Sequence, residues 1–421
     1  MSQVKRIPYG ISDFNQLRSD NCYLVDKTRY LPLIEQMPNY LFLIRPRRFG
    51  KSLFLSMMRT YYDILQRDNF DKYFGDLWIG THPTEERNRF QVLYFDFSKA
   101  GCSGVGDGLM TSFNEYCGLV IDKFAQQYAS FYNDDFESRV LSIENPKAKL
   151  AYIELEAKEK GYPLYLIIDE YDNFTNVILS EHGQKMFHDL THASGFYREY
   201  FKQYKGMFNR IFLMGVSPVT LDDLSSGYNI DWNISTDSRF NAMMGFSETE
   251  VREMFTYYKS NGLLTGEVEA MISEMKPWYD NYCFSEDSLE ERMFNSDMTL
   301  YFLNNYLQLG KVPKMMVDNN IRTDYSKLRH LIQIDKTFGV NASVIQQIVA
   351  EGSITVQIAT SFPAEKMTDT ENFKSLLFYF GMLSIQGVYR GAPVLGIPNL
   401  TVREQLYTYL VEAYSKASIF N

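Results

Sequence analysis

The sequence predicts an α/β fold built on an open, mostly parallel sheet, followed by a mainly helical region. Three observations predict it. Short, continuously apolar runs alternate with amphipathic stretches over roughly the first 240 residues, a pattern typical of strands buried on both faces between covering helices. Gly50-Lys51-Ser52 follows one such run, and Asp169-Glu170 ends another. After about residue 245 the apolar runs give way to helical spacing.

The elements follow in order. Tyr23-Leu24-Val25 is a short apolar run, and Asp26 offers an N-cap to a helix reaching about Gln36. Pro38-Asn39 breaks the chain before the strand Tyr40–Ile44. Arg45 to Gly50 is a loop, and Ser52 to Asp63 is a helix with Leu53, Met57 and Tyr61 on one row and Phe54, Met58 and Tyr62 on the next. Gln91–Phe97 is the second strand, followed by a Gly- and Ser-containing loop over 98–108 and a long helix from about Leu109 to Tyr128. A helix from about Lys147 to Lys160 ends at Gly161, ahead of the strand Leu164–Ile168. A helix over about Glu181–Gln203 leads to the strand Arg210–Met214. Ser247, with Glu250 three residues on, opens a capped helix to Ser260. Helical segments continue to about Ala350. Then come a helix over Phe373–Phe380, two short strands at Met382–Tyr389 and Pro393–Ile397 turning at Arg390-Gly391-Ala392, and a helix over Val402–Tyr414. Helices followed by a hairpin fit a winged-helix-like module.

Composition narrows the function classes. The 421 residues are 45% hydrophobic and 22% charged, ordinary for a globular chain and unlike disorder or a fibre. A formal charge of −10 argues against a generally basic nucleic-acid coat. Cys22, Cys102, Cys117 and Cys283 form no C-x-x-C pair, as expected of incidental thiols in a reduced cytoplasmic protein. The N-terminus has no apolar signal core, and no run of about 18 uncharged apolar residues occurs. The expectation is a cytoplasmic chain with no membrane partner.

The chemistry lies in two motifs. A P-loop runs strand, G-x-x-x-x-G-K-[ST], helix, so that backbone N–H groups and a helix N-terminus face phosphates. Here Arg45 stands at the first glycine position, Pro46 stiffens the loop, and Arg47 and Arg48 add charge. The expected nucleotide-binding set is Arg47, Arg48, Phe49, Gly50, Lys51, Ser52 and Leu53, with Lys51 on the β- and γ-phosphates and Ser52 on Mg²⁺. Leu164–Ile168 followed by Asp169-Glu170 has the Walker B pattern: Asp169 supports Mg²⁺ and Glu170 polarises the attacking water. Ser217, after the Arg210–Met214 strand, is a candidate γ-phosphate sensor, balanced against a plain turn before Pro218. Arg239 is a candidate transition-state cation, for which a surface salt bridge is the simpler explanation. His188-Asp189-Leu190-Thr191-His192 has the spacing of a zinc motif but shows no third ligand, so a solvated helix face explains it better.

These residues carry a family resemblance. Ile7–Phe14, Val25–Thr28, Arg45–Ser52, Ile168–Asp172, Gly215–Val219, Gly245–Glu250 and Trp278–Tyr282 together resemble the AAA-ATPase-like family of bacterial proteins over roughly the first 300 residues. The resemblance implies an additional-strand P-loop ATPase core with a helical lid, and marks Arg45 as the family's own variation. The domain expectation is a core over 1–244, a helical lid over 245–295 and a helical, winged-helix-like domain over 296–421. Many family members end in a PD-(D/E)xK-type nuclease. Ala364-Glu365-Lys366 lacks the strand and the paired acid, so nuclease activity is not carried over. The function expected is Mg²⁺-dependent ATP binding and hydrolysis driving a conformational switch. Two alternatives stay open: a nucleotide-sensing scaffold with little hydrolysis, and a DNA-associated protein using its C-terminal region. ATP is the expected partner, with nucleic acid and a second copy of the chain as further candidates.

Overall fold

The computed structural model describes residues 3–101, 107–178, 189, 195–218, 232–318, 340–363, 366 and 369–416. Five strands form one parallel sheet: β1 (Tyr40–Ile44), β2 (Gln91–Asp96), β3 (Leu164–Asp169), β4 (Arg210–Gly215) and β5 (Trp232–Asn233). Their spatial order is β2-β3-β4-β1-β5. The strand leading into the phosphate loop is thus separated from the strand ending in Asp169 by β4, the additional strand that the resemblance implied. All six residues of β3 and all six of β4 are buried, which accounts for their continuous apolar runs. The register pairs Ile44 with Gly215 and Asp169 with Met214, so the C-terminal ends of β1, β3 and β4 share one edge.

The helices begin and end where the local chemistry dictates. The first is α1 (Phe14–Ser19), capped by Asp13, which accepts from the Gln16 amide. The stretch after Asp26 is shorter than its sequence suggests: a 3-10 turn over Thr28–Tyr30 leads into α2 (Leu31–Glu35), with Pro32 in its first turn. The Asp26 carboxylate accepts from both the amide and the hydroxyl of Thr28, holding the turn. After β1 comes α3 (Lys51–Tyr62), with Gly50 as its left-handed N-cap (φ 83°). Next are α4 (Phe70–Phe74), α5 (Trp78–Thr81), α6 (Asp107–Tyr128), α7 (Phe136–Ser142) and α8 (Pro146–Lys160). Gly161 closes α8 in the left-handed conformation, and Asn145 caps its start. Of the helix expected over about Glu181–Gln203, α9 (Phe196–Tyr204) covers the later part; residues 181–188 and 190–194, with His188 and His192 among them, lie outside the described residues. Helix α3 packs on β2 and β3, and α6 on β2.

Beyond the sheet, α10 (Glu248–Ser260) carries the full capping box: the Glu250 amide donates to the Ser247 hydroxyl, and the Ser247 amide to the Glu250 carboxylate. With α11 (Val268–Tyr279) and α12 (Ser296–Leu309) it builds a second apolar core that includes Met254, Phe255, Met271, Phe302, Leu303 and Val317. A two-residue ladder of β6 (Phe246–Ser247) and β7 (Met293–Phe294) closes its base. Packing therefore carries this helical unit through residue 295 and on to Val317.

The C-terminal region is α13 (Val340–Glu351), β8 (Ser353–Thr355), α14 (Thr370–Tyr379), β9 (Ser384–Tyr389), β10 (Ala392–Gly396) and α15 (Leu400–Lys416). The hairpin expected from the sequence is present. Strand β8 joins it to make a three-stranded antiparallel sheet of order β8-β10-β9. Val344, Leu377, Tyr379, Leu395 and Leu406 belong to the same apolar cluster as the sheet core. Among the described residues, no helix is long and apolar enough to cross a membrane.

Candidate functional site

The sheet edge opens into a cleft of about 730 Å³, lined on one side by Arg47, Arg48, Phe49, Gly50, Lys51, Ser52 and Leu53 and on the other by Glu170 and Asn173. Two non-glycine residues at this edge, Arg48 (φ 66°) and Glu170 (φ 49°), adopt the left-handed conformation. Such strained backbone persists only where the surroundings fix it, and it concentrates at functional sites.

The two distant motifs meet directly. The Ser52 hydroxyl donates to Asp169 Oδ2 at 2.6 Å, across 117 residues of chain. Asp169 Oδ1 accepts the Glu170 amide at 2.9 Å. Burial pushes the Asp169 carboxyl up to about 6, with the Ser52 hydrogen bond and the Lys51 charge pulling the other way. Lys51 is buried. Its ammonium donates to the carbonyls of Pro46 at 2.9 Å and Arg45 at 3.2 Å, inside its own loop. Burial lowers its pKa, opposed by the charges of Glu170 and Asp169.

Arg45 does not face the cleft. It is 1% exposed, donating to the carbonyls of Ser235 at 2.6 Å, Phe240 at 2.9 Å and Ile44 at 3.0 Å, with its guanidinium 4.2 Å from the Phe284 ring centre. Where a flexible glycine is usual, an arginine here ties the end of β1 to the segment over residues 235–240 that follows β5. Arg48, expected among the nucleotide-binding residues, is paired here with Asp297 at 2.9 Å.

Ser217 is fully buried: its amide donates to Asp172 Oδ2 at 2.8 Å and its carbonyl accepts the Tyr171 hydroxyl at 2.7 Å. Gly215 is required there, because a Cβ would lie 2.4 Å from the Asp172 carboxylate and 2.5 Å from the Tyr171 ring. Arg239 is half-exposed and paired with Asp237 through two nitrogens, at 3.0 and 2.6 Å. Neither Ser217 nor Arg239 lines the cleft.

The remaining family-like segments converge on the same loop, which the sequence did not reveal. Gly245 donates to the Phe49 carbonyl at 3.2 Å and has its own φ of 80°, with no room for a Cβ 2.8 Å from the Phe294 carbonyl. The Phe49 ring meets Tyr282 and Phe284 edge-on, at 4.9 and 5.6 Å. Lys27 bridges to the Ala242 carbonyl at 2.9 Å and to the Glu250 carboxylate at 2.7 Å. Gly381, in the turn after α14, packs against Pro46, where a Cβ would come within 2.8 Å. The far end of the cleft is apolar, lined by Ile11, Leu24, Val25, Met243, Met244, Met254 and Leu300. Sequence reasoning assigned none of these to the site; the signal for them was the conjunction of the N-terminal segment with Val25–Thr28.

The donor set suits a hard divalent cation. Ser52 and Asp169 offer oxygen ligands at hydrogen-bond distance from each other, as Mg²⁺ requires when phosphates and water supply the rest. Among the described residues there is no cluster of three or more His, Cys, Asp or Glu that would hold a metal by itself.

A family model described as predicted AAA-ATPase matches residues 8–225. An uncharacterized protein from the vnfD 5′ region of Azotobacter chroococcum mcd 1 is 27% identical over 298 residues, which is 68% of this chain and 50% of that protein. The chain thus spans about half the length of that curated relative. Among solved structures, the Aeropyrum pernix ORC2 protein in ADPNP–ADP complexes aligns at a TM-score of 0.40 and 10% identity, covering 99% of this chain and 97% of its own. The Aeropyrum pernix ORC1 protein in complex with DNA aligns at 0.33 and 10% identity, covering 94% and 95%. With more than half its length matched by the family model, and a phosphate loop and tandem acids at one sheet edge, the chain belongs to the predicted AAA-ATPase family.

Proposed function

We propose that this protein binds ATP with Mg²⁺ in the cleft and hydrolyses it, and that turnover moves the helical unit of α10–α12 against the sheet core. One observation carries the reading: Ser52 and Asp169, far apart in sequence, share a 2.6 Å hydrogen bond beside a cleft large enough for a nucleotide. The loop amides and Lys51 hold phosphates. Ser52 and Asp169 hold the cation, which when bound neutralises charge on the phosphates. Glu170, held in a left-handed conformation at the cleft wall, orients and polarises water. The apolar end of the cleft, bounded by Ile11, Leu24 and Met244, takes the base. Catalysis of this kind works by positioning and charge stabilisation.

The test is calorimetric titration of the full chain with ATP and GTP, with and without Mg²⁺, alongside Lys51→Ala. Saturable binding that strengthens with Mg²⁺ and is lost in Lys51→Ala supports the reading. Equal heats from the wild type and the variant overturn it.

A further inference from the structure

The cleft contains a carboxylate that the proposed chemistry does not use. Asp297, in the first turn of α12, lines the cleft beside Arg48 and pairs with its guanidinium at 2.9 Å. The grip extends beyond the ion pair. The Asp297 amide donates to the Arg48 carbonyl at 3.3 Å, and the Ser296 hydroxyl donates to the same carbonyl at 3.2 Å. A strained residue of the phosphate loop is therefore held by the start of a helix that belongs to the second apolar core. An anion entering the loop competes with Asp297 for the same guanidinium, and the carboxylate repels that anion.

We infer that Asp297 is a positioning residue that couples occupancy of the phosphate loop to helix α12: phosphates draw Arg48 away from Asp297, and the helix is released from the loop. The inference rests on the nucleotide reading above. Its direction follows from the neighbourhood. The Tyr9 hydroxyl donates to Asp318 Oδ2 at 2.6 Å, and its ring lies 6.2 Å from Tyr301 of α12. Asp297 and Asp318 both bear on Tyr9, and Arg48 offsets them. Withdrawal of Arg48 removes the ion pair from the contacts that hold the start of α12 to the loop. A ligand shifts such an equilibrium only through differential contacts, and the Arg48 exchange supplies one.

The test measures binding of Mg²⁺ADPNP and of ADP to the full chain by calorimetry, for wild type, Asp297→Asn, Asp297→Glu and Lys51→Ala. The expected result is roughly five- to tenfold tighter ADPNP binding by Asp297→Asn, with a smaller gain for ADP. Asp297→Glu, which keeps the charge, stays near wild type, and adding Arg48→Gln to Asp297→Asn abolishes the gain. A wild type that binds while Asp297→Asn leaves its affinity unchanged overturns the coupling alone. A wild type that binds no nucleotide overturns the reading beneath it as well. Hydrogen exchange of the wild type gives an independent readout: amides 296–300 should exchange faster when ADPNP is added, and unchanged or slower exchange refutes the release.

Discussion

Arg45 stands where a P-loop ordinarily has glycine, so restoring that glycine is the most discriminating perturbation. In the structure the guanidinium satisfies three buried carbonyls and stacks on Phe284. Arg45→Gly orphans those carbonyls, at about 1–3 kcal/mol for the first and less for groups that relax towards other donors. It also removes a long buried stem and leaves a cavity beneath Phe284. Against this, the cost of keeping a guanidinium in a dry site disappears, a cost visible in the depression of its pKa by burial. The carbonyls and the cavity outweigh the relieved charge, because the arginine donates to an acceptor through each terminal nitrogen. The net expectation is a loss of roughly 3–5 kcal/mol for Arg45→Gly. Arg45→Met fills the volume and needs no solvation, so it should lose only about half as much. Because Arg45 does not line the cleft, nucleotide affinity per folded molecule should change less than about threefold. Urea unfolding followed by tryptophan fluorescence, together with calorimetric nucleotide binding, measures both quantities. An Arg45→Gly protein as stable as wild type, with weakened nucleotide binding, would falsify the assignment of Arg45 as a brace and make it a phosphate ligand.

Glu170→Gln should keep ATP affinity while losing roughly 100-fold or more of its hydrolysis rate in a single-turnover assay; unchanged hydrolysis discards Glu170 as the water-polarising group. Lys27→Met removes the bridge from Val25–Thr28 to Glu250 and Ala242, leaving the largely buried Glu250 carboxylate with only the Ser247 amide and the more distant, exposed Arg29, so thermal stability should fall by about 2–4 kcal/mol. An unaltered melting midpoint counts against that bridge. Asp63, which accepts from the Leu65 amide and the Tyr128 hydroxyl, is pushed by burial from 3.8 to about 6. Its folded pKa is raised, so the native state holds the proton more tightly. Stability is therefore lost as pH rises from about 4 through about 6. Asp63→Asn should match wild type near pH 4 and exceed it by up to about 3 kcal/mol near pH 7. A stability difference that does not grow over that interval removes Asp63 as the cause.

The sequence made the sheet legible because its strands are buried on both faces. Tyr40–Ile44 and Leu164–Ile168 could not be read otherwise, and Gly161 and Ser247 marked helix ends by local chemistry alone. Strand β5 escaped because two residues, one of them the half-exposed Trp232, carry no period. Strand β8 escaped because its pairing with β10 is non-local, across about 40 residues of chain. Within the site, Gly50-Lys51-Ser52 and Asp169-Glu170 were legible because their chemistry is written in adjacent residues. The roles of Asp297, Lys27 and Gly381 were not, since each acts through a neighbour more than 200 residues away. Arg48 was readable as a charge, but whether it met a phosphate or a carboxylate depended on where α12 begins.

Charge balance in the cleft supplies a reason for a divalent cation that does not depend on family likeness. Lys51, Arg47 and Arg48 line the cleft together with Glu170 and Asp297, and Asp169 accepts from Ser52 beside them, so the protein groups nearly compensate one another. A triphosphate adds several negative charges to that balance, and at contact distances, well inside a Debye length, their repulsion from the carboxylates is incompletely screened. Lys51 alone cannot absorb it, because its ammonium must first leave the carbonyls of Arg45 and Pro46. A divalent cation held by Ser52 and Asp169 would offset the charge of the carboxylate and of the phosphates, and its benefit would grow with the number of phosphates. Chelation by EDTA should therefore weaken ATP binding by a larger factor than ADP binding, and Asp169→Asn should narrow the difference. Equal losses for the two nucleotides on chelation would mean that the carboxylates do not oppose the phosphates, and the electrostatic reading of this wall would fail.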